Sequence, residues 1–390
     1  MTTLAGELTI DLTTRAGAVS AVQIASTRPQ VADRLLAGKP ADAAVALVPQ
    51  LFTICGRAQG LAAELALQAA RGQISADPAL QRARTRRIEL EIAQEYLWRA
   101  LLDWPKAVGV DADAVVLAGL RRALNADPAG ADPATRIAVT QAAERGVFGG
   151  SAKAWFEHEH VPAFEIWIAQ GATPAARFVG AVQREGARHG APRSAGEVPL
   201  LPSLTQPQML AEVAAALAAD EAFARQPLVD GRAAETGAVS RHAAHPLVAA
   251  LMAAFGRSTL TRLAARITEL ARIAAGIESA APLCGALTLA AGAGVRRGLG
   301  WVETARGVLV HLIDLEGIGA DERSGGERIA RYRILAPTEW NFHPRGAVAA
   351  GLLGVHAQSV DELRQRADWL VQSLDPCVEY VLRIDGAGRA

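Results

Sequence analysis

Three cysteines in 390 residues are too few for a disulfide framework, so a reducing, cytoplasmic setting is the expectation. Charge of one sign is also missing. Forty basic residues stand against 40 acidic ones, with a pI near 7.1, and nothing calls for a nucleic-acid or anionic-membrane partner. No uninterrupted apolar run approaches the ~18 residues that a membrane span needs. Residues 1–7 lack the basic and apolar regions of a signal peptide. Aromatic residues make up only 5% of the chain, and with the heavy use of alanine this points to closely packed helices. No internal repeat is visible. What is abundant is apolar residues, at 51%, enough for a sizeable core.

Along the chain, residues 6–24 alternate as a strand hairpin does, with Leu8, Ile10 and Leu12 on one face and a turn at Ala16-Gly17. Helical spacing runs from Asp42 to Arg71, with Cys55 in its middle, and again from Arg86 to Trp104. A short helix is expected after Asp111, and a loop at 125–135. Residues 186–208 hold four prolines, at 192, 199, 202 and 207, and read as a long irregular connection. Helices are expected at 208–226, 245–279 and 359–373. Two strands are expected at 300–316 and 328–336, around a Gly-rich turn near Ser324-Gly325-Gly326. The layout predicted is α+β, helix-dominated with small peripheral sheets, in a single domain over residues 1–390.

Two cysteines sit in distinctive contexts near opposite ends: Phe52-Thr53-Ile54-Cys55-Gly56 and Asp375-Pro376-Cys377. Between them lie Glu235-Thr236-Gly237-Ala238-Val239-Ser240-Arg241, then Glu303-Thr304-Ala305-Arg306-Gly307-Val308-Leu309-Val310-His311. The segment from Ile329 follows, with Tyr332 and Pro337-Thr338-Glu339-Trp340-Asn341-Phe342-His343-Pro344-Arg345. Motifs of these kinds, in this order over nearly the whole chain, resemble the large subunit of nickel–iron hydrogenases. That family carries a Cys-x-x-Cys pair near each end. Here Ala58 and Tyr380 stand at the second position of each pair. Ala5 stands where the family has a proton-carrying glutamate, and Arg383 where it has the histidine after its last cysteine pair. The glutamate that partners this histidine corresponds to Asp33. These departures argue against hydrogen turnover. The combination is similar to the hydrogenase expression/formation family HupK/HoxV.

That resemblance implies a non-enzymatic maturation scaffold that holds an Fe(CN)2CO unit, without nickel, and passes it on. Cys55 and Cys377 would be thiolate ligands. Arg306 and Thr338 would hold the cyanides, with Pro337 fixing the local backbone. The chemistry is consistent, since a guanidinium offers charged donors to an anionic acceptor and a hydroxyl adds another. Both surviving cysteines match positions that bind only nickel in the enzyme, so iron would sit shifted toward them or be held chiefly through its cyanides. Implied partners are a HypC-type chaperone and the hydrogenase large subunit. An iron-free docking protein that mimics the large subunit is the alternative.

Other readings stay open for single residues. The two cysteines could be small buried hydrophobes or form a reversible disulfide when empty. Arg306 could pair with Glu303 or Asp314, and Thr338 could cap a turn. Cys284 reads as core and His343 as a hydrogen-bonding residue. His158-Glu159-His160 reads as a solvated patch, because residues i and i+2 diverge on a helix. Arg82, Arg84, Arg86 and Arg87 read as a solvated helix start or a docking surface for an acidic partner.

Overall fold

The computed structural model describes residues 6–52, 55–112, 114–127, 129–157, 160–189, 198–291, 295–316 and 326–385. Its first element is the expected hairpin. Strands β1 (Glu7–Arg15) and β2 (Ala18–Ser26) pair antiparallel across Ala16 and Gly17. Both turn residues have positive φ, 53° and 78°, the conformation that matches the twist of two-residue hairpins. Leu8, Ile10 and Leu12 face inward.

Helices α1 (Val31–Leu36), α2 (Ala41–Leu51), α3 (Gly56–Ala70) and α4 (Pro78–Trp98) follow. The single helix expected over 42–71 is thus two. Pro49 lies in the last turn of α2, and Cys55, with φ −127° and ψ 43°, leaves helical geometry to become the residue before α3. The helix expected over 245–279 is likewise two, Pro246–Phe255 and Thr259–Ala274. Gly256 has φ 62°, and Ser258 Oγ accepts the Thr261 N–H at 3.2 Å to start the second.

The stretch expected as one strand over 300–316 is a hairpin of β4 (Arg296–Thr304) and β5 (Gly307–Glu316), turning at Ala305-Arg306. With β3 (Cys284–Leu289) and β6 (Arg328–Leu335) it forms an antiparallel sheet in the order β3-β4-β5-β6. Ser324 and Gly325 of the expected turn lie outside the described residues. Helix α3 crosses this sheet so closely that a Cβ on Gly300 would stand 2.3 Å from the Ala62 carbonyl oxygen. Close crossing of this kind requires alanine on the helix and glycine on the strand. Across the sheet, Trp301, Val308, Val310 and Leu312 pack with the helix Pro207–Ala219.

The last strand, β7 (Glu379–Ile384), lies parallel to β1, giving a second sheet β2-β1-β7. The two ends of the chain therefore meet. The helix Val360–Leu374, close to its expected span, packs beneath. Helix Thr259–Ala274 runs through the interior with Arg262, Arg266, Glu269 and Arg272 all buried. Each has a counter-charge. Arg262 makes two bonds to Glu235 (2.7 and 2.9 Å), Glu269 takes Arg241, and Arg272 reaches Glu89 at 2.7 Å. Buried charge is tolerable only when paired in this way.

His311 on β5 ties this scaffold together. One ring nitrogen lies 2.8 Å from the Tyr332 hydroxyl on β6 and the other 2.9 Å from Gln59 Oε1 on α3. The ring is fully buried, and burial drives its pKa down to about 3. The folded pKa lies below the unfolded value near 6.5, so neutral His311 contributes stability that is full above pH ~6.5 and is lost as pH falls. Between pH 7 and pH 5 the loss should be about 2 kcal/mol. Urea midpoints across this range should drop in the parent and drop less in His311→Gln. Equal slopes would remove His311 as the cause.

Candidate functional site

Four distant segments converge. Cys55 stands at the start of α3. Arg306 occupies the β4–β5 turn. Thr338 lies in the short helix Pro337–Asn341, where Pro337 takes the first position, the one place in a helix where its missing N–H costs nothing. Cys377 comes two residues before β7. It follows Asp375, whose φ of 54° ends the helix Val360–Leu374.

Every site residue expected from sequence lies in this region. Arg306 Nη1 is 3.4 Å from Cys55 Sγ. Thr338 Oγ1 is 3.0 Å from Cys377 Sγ and accepts the Cys377 backbone N–H at 3.2 Å. Both cysteines are free thiols. Cys55 is buried and Cys377 half-buried. Burial pushes the Cys55 thiol well up. The Arg306 charge opposes this but does not cancel it, and Glu91, Cys377 and Glu95 add to the rise. A metal cation binding there has to displace a proton that the dry site otherwise retains.

Arg306 does not pair with Glu303 or Asp314. Those carboxylates belong to Arg241 (2.7 Å) and Arg297 (2.6 Å). Arg306 instead reaches Glu95 at 2.9 Å and Asp375 at 3.2 Å. Its Nε is buried with no hydrogen-bond partner, although most buried donors have one. Asp375 also takes Arg99 (2.7 Å) and Arg266 (3.3 Å), so one buried carboxylate organises three guanidiniums.

Several neighbours left no sequence signal. Arg28, two residues past β2, donates from Nη1 to Cys377 Sγ at 3.0 Å. Glu91 on α4 accepts the Arg57 and Ala58 N–H groups, both at 2.9 Å, and burial pushes its carboxyl up to about 7. It serves donors that the first turn of any helix leaves unpaired. Ala58 is itself fully buried. The Tyr380 hydroxyl is bonded to Asp368 at 3.2 Å. The two positions that lack a second cysteine thus carry packing and hydrogen-bonding roles.

Other candidates resolve as structural features. Cys284 is buried, with Gln81 Nε2 3.3 Å from its sulfur. His343 Nδ1 accepts the Arg345 N–H at 3.0 Å. Asp33 accepts the Tyr332 N–H at 2.7 Å, while Arg383 lies 3.8 Å from Asp11. Arg84 is buried against Gln68 and Arg87 faces Glu64, whereas Arg82 and Arg86 line a surface cleft of about 430 Å³. Ala5, His158 and Glu159 lie outside the described residues. Among the described residues no three His, Cys, Asp or Glu side chains gather as a metal site, and no helix is long and apolar enough to cross a membrane.

No protein-family model matches the chain. It is 36% identical to the hydrogenase expression/formation protein HoxV of Cupriavidus necator, over 97% of each chain. Proteins named HupK, also hydrogenase expression/formation proteins, are similar at 31% in Rhizobium leguminosarum and 32% in Azotobacter vinelandii. These alignments cover 99% and 98% of this chain, and 98% and 99% of the relatives. Among solved structures, the fold is similar to the nickel–iron–selenium hydrogenase of D. vulgaris Hildenborough. The TM-score is 0.60 at 16% identity, covering 93% of this chain and 94% of that one. The Desulfomicrobium baculatum enzyme gives 0.54 at 14% identity, covering 94% and 95%. The fold is that of a hydrogenase large subunit.

Proposed function

Because the chain belongs to the hydrogenase expression/formation protein family of HoxV and HupK, we propose that it is a maturation scaffold. It transiently holds an Fe(CN)2CO unit and passes it to the large subunit of a nickel–iron hydrogenase. The observation that carries this reading is two free thiols, one buried and one half-buried, each beside a directed donor, with one buried donor atom unused. Cys55 and Cys377 supply soft thiolates suited to iron. Arg306 presents a buried, unpartnered Nε–H to an anionic acceptor such as a cyanide nitrogen. Thr338, beside Cys377 Sγ, has a hydroxyl that can turn from sulfur to a cyanide. Glu95 and Asp375 keep Arg306 in place by holding its Nη2.

Two thiolates in place of four favour release, and a carrier must release its cargo. In this reading a HypC-type chaperone delivers the iron and the hydrogenase large subunit receives it. The second reading is an iron-free docking protein that mimics the large subunit.

Infrared spectroscopy separates the two. Protein purified anaerobically from a host making the maturation machinery should show CO and CN stretching bands, with about one iron per chain by metal analysis and no nickel. Absence of bands, with iron at background in several anaerobic preparations, leaves only the docking reading.

A further inference from the structure

Arg28 lies in the irregular segment between β2 and α1, yet its side chain is only 13% exposed. Its Nη1 stands 3.0 Å from Cys377 Sγ. The nearest carboxylate, Glu339, is 3.8 Å away, beyond hydrogen-bonding reach, and Glu339 Oε1 is buried with no hydrogen-bond partner. Arg306 differs, because carboxylates at 2.9 and 3.2 Å compensate its charge. An arginine guanidinium stays protonated in proteins, so Arg28 is a permanent positive charge whose closest polar contact is a sulfur.

The same sulfur has a second donor. Thr338 receives the Cys377 N–H on its oxygen at 3.2 Å, which leaves its hydroxyl hydrogen for Sγ at 3.0 Å. A thiolate bound to one metal can accept two hydrogen bonds. A thiolate bridging two metals keeps a single lone pair and can accept only one of them. A second divalent cation on this sulfur would also sit a few ångströms from a fixed charge, where low dielectric leaves repulsion weakly screened.

We infer that Arg28 keeps the centre mononuclear and free of nickel: resting on the cargo reading above, its guanidinium caps the Cys377 sulfur and repels a bare divalent ion such as Ni2+, whereas the two cyanides of Fe(CN)2CO cancel the charge of its iron(II). The fold carries this selectivity through the pairing of β1 with β7, which brings the end of the first hairpin beside Cys377.

The test uses the full chain, purified anaerobically with its thiols reduced and no iron loaded, and titrated with Ni2+. Sulfur-to-nickel charge-transfer absorbance and nickel retained after desalting are the readouts. The parent should bind Ni2+ weakly. Arg28→Gln, which keeps a donor but drops the charge, and Arg28→Met, which drops both, should each tighten binding at least tenfold. Arg28→Lys should stay as weak as the parent. Cys377→Ala in the Arg28→Gln background should remove the gain. Thermal unfolding of each variant shows that it is folded, and having two neutral variants guards against one that is not. Nickel affinity of both neutral variants equal to that of the parent overturns the inference, as does a gain that survives Cys377→Ala. The titration needs no iron, so missing infrared bands in the parent would sink the cargo reading alone, whereas unchanged nickel affinity sinks the role of Arg28.

Discussion

Cys55→Ala and Cys377→Ala should each abolish iron retention while leaving the fold within about 1 kcal/mol of the parent. Retention should fall completely rather than by half. With two thiolates in the set, loss of either leaves one sulfur and the cyanide donors, too few to hold iron through purification. The fold should tolerate both changes. Cys55 makes no side-chain cap bond at the start of α3, so alanine there removes only a small buried group. Cys377 is half-buried, and its backbone N–H to Thr338 survives the substitution. Metal analysis, infrared spectra and urea unfolding on the same preparations separate ligation from folding. A variant that keeps full iron and unchanged CN bands would make that cysteine structural.

Asp375→Asn should cost about 3–5 kcal/mol, the usual consequence of removing one side of a buried ionic cluster. The carboxylate is 3% exposed and faces Arg99, Arg266 and Arg306 at 2.7, 3.3 and 3.2 Å. Without it, Arg266, Arg306 and the partly exposed Arg99 repel one another with no carboxylate shared between them. Asparagine tolerates the positive φ at this position, so the substitution tests charge rather than backbone strain. Arg306 would also lose one of its two anchors beside Cys55, and faster loss of any bound iron should follow. Acid should reproduce part of the effect. Burial alone would raise the Asp375 pKa, but Arg306, Arg266 and Arg99 outweigh it and hold the carboxyl below its ordinary value. Its stabilisation is therefore complete above pH ~4, where the unfolded aspartate has ionised, and is lost as pH falls through the lower folded pKa. The gap between parent and variant urea midpoints should be constant from pH 7 to 5 and should narrow below 4. A gap that is small at pH 7, or that widens in acid, would show that Asp375 is not the hub of the cluster.

Much of the fold was legible where the signal is local. Alternation marked β1 and β2 because a strand half-covered by a core must alternate. Helical spacing marked the helix beneath the second sheet to within a residue at each end. Motif order carried the family, and through it the expectation that Cys55, Arg306, Thr338 and Cys377 belong to one site; that Arg306 stands beside Cys55 and Thr338 beside Cys377 came only from the fold. Local signal failed where the backbone is interrupted without a change in composition. Residues 42–71 stay apolar at helical intervals straight through the break at Cys55, and 245–279 do so through Gly256. It failed again at β4–β5, where Ala305-Arg306 is not a strong turn sequence and the hairpin rests on contacts with the rest of the fold.

The sequence by itself determined the family, the α+β class, the hairpin that opens the chain, and the residues on which a metal-holding reading rests. It could do so because periodicity and motif spacing are properties of short segments. Only the tertiary structure decided which charges meet. Arg28 reaches Cys377 because β7 pairs in parallel with β1, and Arg306 answers to Glu95 and Asp375 rather than to its neighbours in sequence. Such partners lie tens to hundreds of residues apart along the chain. The low dielectric of a closed interior, which exists only after folding, is what makes their positions matter.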